Sequence, residues 1–432
     1  MIKNSMTQLV IRLSDPAAVD AGRFGPKAAN QALLGQAGLP IAGGFGVDAE
    51  AYRLQLASLG LDKPARAAAE LDPVEARSHI AEVRIGLFDQ PIVQPVLEQL
   101  LAAYRELTEN SDVPVVVRSS SLLEDSAGSL FAGQFESFLG LQNEEDFLTA
   151  IRACWAALWS SRARQYMETH EMNPADTAMA LVIQPLVEAR VSGGGMSLTA
   201  DGSMAVTATW GLGSAIAQGE IVPDRYELSR EGNLIEVAAG RKEHSVSCQH
   251  HAEPSAEAIS KEMAVEPCLD KIQVKELAQM MLKAEDLLGC SVEIEWSLDD
   301  TGFKLLQARP LEMEPAVVPD EIWLRHPGIK GHPSGIGWGS GRACVINCEC
   351  ELGRVAPGDV LVTKVAGPAL SQVLPRVSGV VAELGGSTSH LASLARERGI
   401  PMVLGVLDAT DKIPDGAQVG VDGVMGVVRW YN

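Results

Sequence analysis

The sequence predicts an α/β (α+β) chain of two or three domains. Three observations carry that expectation. At 432 residues the chain exceeds one ordinary domain of ~100–200 residues. Residues 1–110 read as largely helical, whereas residues 180–310 are strand-rich with glycine turns. From about Gly331 to Asn432 there follows a small glycine-rich unit. No internal repeat or low-complexity tract interrupts this order.

Taken in order, "GPKAANQALLGQAGLP" carries helical apolar spacing and stops at Gly38 and Pro40. "VPVVVRSS" reads as a buried strand ending near Arg118, because β-branched residues fill it. "NEEDFLTAIRACWAALWSSRARQYME" predicts one long amphipathic helix. Asn143 caps it, Glu144 and Glu145 suit its positive end, and Phe147, Ile151, Trp155 and Leu158 share a face. "AMALVIQPLV", "SMAVTATW", "SVEIEWSL" and "FKLLQARP" are the clearest strands. "LEMEPAVVPDEIWLRHPG" mixes prolines and acids and reads as a linker. In the last unit "VSGVVAEL" reads as a strand, "SHLASLARERG" as a helix and "PMVLGV" as another strand. Leu391, Leu394, Ala395 and Arg398 share a helix face, and Gly399 and Pro401 end it.

Composition bounds the function. The net charge of −21 repels a phosphate backbone, so no nucleic acid partner is expected. No apolar run reaches ~18 residues, so no membrane span is expected. The opening "MIKNSMTQLVIRLSDP" lacks an apolar signal core, and a cytoplasmic protein is the expectation. Seven cysteines, an odd number, fit reduced thiols. "CVINCEC" and "CQHH" each lack a good second ligand pair for a metal.

His390 is placed in a strand-to-helix loop, at a helix N-terminus. Free backbone N–H groups and the helix dipole there favour an anion and disfavour imidazolium. A neutral, nucleophilic ring results, and a phosphoryl group on it meets donors, with the Thr388 and Ser389 hydroxyls nearby. Taken alone, His390 is also readable as a capping or surface histidine.

A phosphoryl donor site has to come from elsewhere. No Walker A sequence, Gly-Lys dipeptide or protein-kinase catalytic loop occurs, and "GLGSAI" reads as a tight turn. Lys27 stands in a loop before a helix. Glu295 and Gln307 stand on neighbouring strands, 12 residues apart, and a turn at Asp299–Gly302 brings them together. A carboxylate and an amide oxygen are hard ligands suited to Mg²⁺. Lys27, Arg118 and Arg309 have the charge to hold phosphates. Individually each has a plainer reading: Lys27 solvated, Arg118 paired with Glu124 or Asp125, Glu295 an acid on an open strand face.

"GGSTSHLASLARERGIP" closely resembles the phosphohistidine segment of the phosphoenolpyruvate synthase and pyruvate phosphate dikinase family, and "GDVLVTKV" and "GAQVGVDGVMGVV" resemble its flanking strands. "GPKAANQALLGQAGLPIAGGFGV", "VVVRSSSLLEDSAGSLFAGQFESFLGL", "LVIQPLV", "WGLGSAIAQGEIVPDRYEL" and "VEIEWSLDDTGFKLLQARP" are similar, in order, to that family's nucleotide-binding domain. The resemblance covers nearly the whole chain. It implies a two-lobed ATP-grasp domain, lobes 1–185 and 186–310, a linker 311–330, and a small β/β/α swivelling phosphohistidine domain 331–432. It implies ATP binding by Lys27, Arg118, Gly133, Ser137, Gln184, Glu295, Gln307 and Arg309, Mg²⁺ on Glu295 and Gln307, and catalysis by His390.

The chain departs from the family pattern in four places. Gly-Pro-Lys replaces Gly-Gly-Lys, Ser137 replaces a threonine, and Leu391 follows the histidine where alanine is usual. "EARVSGGGMSLTADG" lacks the usual Pro-x-x-Gly turn.

In the resembled family the histidine attacks the β-phosphate of MgATP, AMP leaves, and the phosphohistidine domain swings to an acceptor. The sequence ends soon after the histidine domain, without the ~250 residues of a pyruvate-binding barrel. The expectation is therefore a small-molecule acceptor, pyruvate or another hydroxyl compound, on a separate acceptor-binding subunit. The alternatives are a phosphocarrier module with little turnover and a degenerate nucleotide sensor.

Overall fold

Short β-branched runs form the sheets of this chain, and apolar residues at helical spacing line the helices that cover them. The computed structural model describes residues 8–431, apart from 73–74, 110–112, 125–134, 136, 170–171, 200, 248–254, 312–322, 324–325 and 327. The chain divides between Val187 and Glu188 into two compact units.

The first unit holds β1 (Val10–Arg12), β2 (Phe45–Val47), β3 (Val115–Ser121), β4 (Ser137–Leu141) and β5 (Met179–Pro185). They form one antiparallel sheet in the order β1-β2-β5-β3-β4. Its helices are α1 (Ala21–Gln36), α2 (Ala49–Ser58), α3 (Asp62–Glu70), α4 (Arg77–Asp89), α5 (Gln94–Thr108), α6 (Glu144–Ala157) and α7 (Ser161–Thr169). Phe24, Ala28 and Ala32 of α1 pack on Val182 of β5.

The single helix expected from Asn143 is two helices. Asn143 does cap the first, accepting from the Asp146 N–H at 2.8 Å. The break comes where Trp159 is buried and donates its indole N–H to the Tyr52 hydroxyl at 2.8 Å. Ser160 then accepts from the Ala163 N–H at 3.2 Å and starts α7. A side-chain anchor and a new cap outweigh continuous helical periodicity there.

The second unit carries β6 (Val191–Met196), β7 (Met204–Trp210), β8 (Asp224–Leu228), β9 (Leu234–Ala238), β10 (His244–Ser247), β11 (Ser255–Ala258), β12 (Val292–Asp299) and β13 (Gly302–Pro310). Six form an antiparallel sheet, β13-β12-β6-β7-β8-β9, while β10 and β11 pair separately. Its helices up to this point are α8 (Ser214–Ala217), α9 (Lys261–Val265) and α10 (Lys271–Leu288). Asp270 and Gln273 form a capping box on α10, and Gly289 ends it at φ 71°.

The same unit continues with β14 (Gly328–Lys330), β15 (His332–Pro333), β16 (Trp338–Ile346), β17 (Val360–Thr363), β18 (Gly379–Ala382), α11 (His390–Glu397), β19 (Met402–Leu404), α12 (Ala409–Lys412), β20 (Gln418–Asp422) and β21 (Val427–Tyr431). These strands make an eight-stranded sheet, β14-β21-β20-β16-β17-β18-β19-β15, whose inner pairs β16–β17, β17–β18 and β18–β19 are parallel. Its core is aliphatic, with Val360, Val362, Val381, Val403, Val419 and Val421 fully buried. The α11 crossover joins parallel β18 and β19, so its N-terminus lies beyond the carboxyl end of β18. Ligands characteristically gather at that end of parallel strands.

Two sequence expectations meet corrections or limits. Cys348 and Cys350 are joined by a disulfide, against the expectation of reduced thiols, while Cys154, Cys268, Cys290 and Cys344 are free. Most of the expected linker 311–330 lies outside the described residues. No helix among the described residues is long and apolar enough to cross a membrane.

Candidate active site

In the first unit, Gly25 carries φ 71° and breaks α1 just before Pro26 and Lys27. A Cβ at Gly25 would collide with the Ser120 carbonyl oxygen, so this close approach requires glycine. Pro26 then restarts the helix with its φ preset. The Ser120 hydroxyl accepts from the Ala28 N–H at 3.2 Å and satisfies one donor of the new first turn. Lys27 therefore sits in a rigid first turn rather than the expected loop. Its ammonium meets Glu124 at 2.9 Å; that carboxylate is buried and also accepts from the Ser121 N–H at 3.0 Å.

The sheet register gathers the other expected residues of this unit. β3 runs through Arg118 to Ser121 instead of ending at the arginine. Arg118 lies directly opposite Ser137 on β4 and Val182 on β5. Residues two apart share a sheet face, so Ser120, Arg118 and Val116 share one, with Gln184 opposite Val116. Val182, on this face, packs against α1. The restart carrying Lys27 and the strand residues Arg118, Ser137 and Gln184 thus belong to one surface. Gln184 is buried and donates to the Gly43 carbonyl at 3.0 Å. Gly133 lies outside the described residues.

In the second unit, Glu295 and Gln307 are direct cross-strand partners in the β12–β13 hairpin, which turns at Asp299–Gly302 as expected. Paired side chains on one face lie within reach of a shared ligand. Gln307 is buried and Glu295 half-buried. One carboxylate and one amide oxygen match the hard donor set of Mg²⁺, which ordinarily takes one or two protein ligands and fills the rest with phosphate and water. The residues fit that ion. Among the described residues no group of three or more His, Cys, Asp or Glu converges as a metal cage. "CQHH" lies outside the described residues.

Three consecutive glycines of β6 decide what covers this sheet. A Cβ on Gly193 would meet the Trp296 ring at 2.9 Å, and one on Gly195 would meet the Met281 sulfur of α10 at 2.6 Å. Both belong to the face that α10 covers with apolar groups. Gly194 points to the other face, where a Cβ would stand 2.5 Å from Thr388 Cβ. Gly194 is also the register partner of Glu295. The Thr388 hydroxyl meets the Thr207 hydroxyl at 3.0 Å, and Thr207 lies opposite Gly194 on β7. The loop before His390 therefore rests on the polar face that carries Glu295 and Gln307.

His390 is the first residue of α11 and is exposed, while Leu391, Leu394 and Ala395 are buried as their spacing predicts. Ser389 caps the helix, accepting from the Ala392 N–H at 3.2 Å. The ring thus projects from a helix start whose hydrogen bonds and packing fix its backbone.

Arg309 bonds to Glu293 through Nε at 3.1 Å and Nη2 at 2.8 Å, and also donates to the Ser393 hydroxyl. Arg396 of α11 donates to the same Glu293 oxygen at 2.8 Å. Burial opposes ionisation of Glu293, but the two guanidinium groups outweigh it and hold the carboxyl below its usual range. Sequence reasoning missed Glu293, Arg396, Thr207 and Gly194. The available signal was the glycine triplet inside a strand, which marks close approach.

The chain matches known protein families over most of its length. Residues 21–322 match the pyruvate phosphate dikinase AMP/ATP-binding domain, and residues 355–426 match the mobile domain of PEP-utilising enzymes. A probable phosphoenolpyruvate synthase of Methanothermobacter thermautotrophicus is 29% identical over 98% of this chain and 64% of its own length. The phosphoenolpyruvate synthase of Aeropyrum pernix is 31% identical over 94% of this chain and 56% of its own. That of Escherichia coli is 28% identical over 99% of this chain and 58% of its own. The chain thus spans 56–64% of the length of these relatives. With an ATP-grasp nucleotide-binding region followed by a mobile histidine-bearing domain, the chain belongs to the phosphoenolpyruvate synthase and pyruvate phosphate dikinase family.

Proposed function

We propose that this chain is an ATP-dependent phosphotransferase of the dikinase type, with His390 as its covalent phosphoryl carrier. The observation that carries the reading is the seating of the Thr388 loop on Gly194, beside the Glu295–Gln307 pair. The proposed nucleophile lies two residues from Thr388, whose loop packs on the face that bears the proposed metal ligands. Lys27, Arg118, Gly133, Ser137 and Gln184 in the first unit, and Glu295, Gln307 and Arg309 in the second, are the proposed nucleotide-binding residues.

The neutral imidazole attacks the β-phosphorus of ATP. A nitrogen–phosphorus bond forms, the bond to the α-phosphate oxygen breaks, and AMP leaves with the electron pair. The γ-phosphoryl group then passes to water or phosphate, leaving phosphohistidine. Glu295 and Gln307 would hold the Mg²⁺, which would supply positive charge against the phosphate oxygens. The α11 N-terminus offers backbone N–H groups to the phosphoryl group on His390. Movement of the histidine domain delivers that group to an acceptor, pyruvate or another small hydroxyl compound, on a partner chain. The names of the relatives support a pyruvate-class acceptor.

The decisive experiment supplies β-labelled MgATP to the protein and to His390→Ala. The wild-type protein captures label on histidine and the variant captures none, with nucleotide affinity retained. Full labelling of the variant overturns the reading. AMP release is then measured with pyruvate and other acceptors, with and without candidate partner proteins. Stoichiometric capture without AMP turnover under every condition identifies a phosphocarrier instead.

A further inference from the structure

We propose that Glu293 and Arg396 form an ionic latch that registers the phosphoacceptor loop on the nucleotide-binding sheet, making both positioning residues for phosphoryl capture. The inference rests on the function proposed above for what the latch serves, but its geometry stands independently.

One oxygen of Glu293 accepts three donors: Nε and Nη2 of Arg309 at 3.1 and 2.8 Å, and Nη2 of Arg396 at 2.8 Å. Glu293 and Arg396 are each 4% exposed, and 103 residues separate them in sequence. The other arm of Arg396 donates to the Ser387 carbonyl at 2.6 Å, three residues before His390. Its Nη2 also donates to Ser393 at 3.2 Å. Arg396 therefore ties together the sheet, the body of α11 and the loop that presents the nucleophile.

The two faces of this sheet are covered by different chemistry. On one face α10 packs through Met281 against Gly195, next to Ile294. On the other, α11 and its loop are held by the Glu293 cluster and the Thr207–Thr388 hydroxyl pair. Apolar contact is non-directional and tolerates small slips. Buried ion pairs are poor sources of net stability, because desolvation offsets attraction, but they demand one geometry. They are also readily re-solvated on separation, as befits an interface that has to open and re-form in one register. Arg309 belongs to both the latch and the proposed nucleotide set. Its removal is therefore expected to impair docking and nucleotide binding together, whereas removal of Arg396 impairs docking alone.

The test uses the full chain with spin labels, introduced as unnatural residues at the exposed positions Ile272 and Met425. In the wild type a single dominant distance is expected without nucleotide. Arg396→Met and Glu293→Gln are each expected to lower the docked fraction at least fivefold, and Arg396→Lys to restore part of it. An unchanged distance distribution in both overturns the latch. Ser393→Ala and Thr388→Val, which remove only a hydroxyl contact, give the same readout if the charge variants fail to fold. Their expected result is a smaller loss of the docked fraction, and no loss in either counts against the latch.

Single-turnover capture from β-labelled ATP is expected to slow at least tenfold in Arg396→Met, with nucleotide Kd within twofold of wild type. Absence of capture by the wild type itself refutes the proposed function, and the distance measurement still decides the latch.

Discussion

Gly194 and Thr388 approach so closely that a Cβ added to the glycine would lie 2.5 Å from the threonine Cβ. One is in the middle of a strand of the nucleotide-binding region, the other two residues before the candidate nucleophile. Gly194→Ala is therefore expected to lift the His390 loop off the sheet. Capture of phosphate from β-labelled ATP should slow about tenfold, corresponding to ~1.4 kcal/mol. Thr388→Gly in the same chain should recover part of that rate, because it removes the opposing atoms. Rapid-quench labelling checks both variants.

Glu295 and Gln307 face each other across the hairpin and are the donor pair proposed for Mg²⁺. Glu295→Gln removes the only charge of the pair. The Mg²⁺ concentration for half-maximal AMP formation is expected to rise at least tenfold, with the fold unaffected. Gln307→Ala should give a smaller rise, and the double variant less than the product of the two, as expected for groups sharing one ion. Mg²⁺ titration of AMP release measures all three.

Lys27 has a structural role that is separable from the phosphate binding proposed for it. Its ammonium lies 2.9 Å from Glu124, a carboxylate whose side chain is 1% exposed. Lys27→Met removes this largely buried ion pair and should cost ~1–3 kcal/mol of stability. Adding Glu124→Gln removes the buried charge and should return most of that stability, while nucleotide affinity stays low. Denaturant unfolding together with nucleotide titration separates the two effects.

His332 is buried, with the Gly405 backbone packed against its ring. Burial, and then the positive charge of Arg225, push its pKa down to about 3. In the unfolded chain the ring protonates near its ordinary value of ~6.5. Above that pH the ring is neutral in both states and the native state loses nothing. As pH falls from about 6.5 toward 3, only the unfolded state takes up the proton, and stability drops by ~1.4 kcal/mol per pH unit. His332→Gln should flatten this acid-side slope. Melting of both proteins between pH 7 and pH 4 tests it.

Much of the fold was legible because local chemistry and final structure agree. The strands "MALVIQP" and "VEIEWSLD" form where β-branched runs predict them, and α11 buries Leu391, Leu394 and Ala395 at their helical spacing. The Glu295–Gln307 pairing follows from strand spacing and one turn. The break between α6 and α7 was not legible, because it depends on Trp159 reaching Tyr52, 107 residues away. Nor was the Cys348–Cys350 disulfide, since cysteine count alone sets no pairing.

The sequence by itself determined most of the elements, their order and the family to which the chain belongs, because periodicity, caps, turns and motif order are written locally. It also placed His390 at a helix start and put a carboxylate opposite an amide. The tertiary structure alone decided that Arg396 and Arg309 share Glu293, that Thr388 rests on Gly194, and that Lys27 is held by Glu124. The Arg396–Glu293, Lys27–Glu124 and Gly194–Thr388 contacts join residues about 100 to nearly 200 positions apart. Whether two distant polar groups meet depends on how whole sheets and helices pack, and no local pattern encodes that.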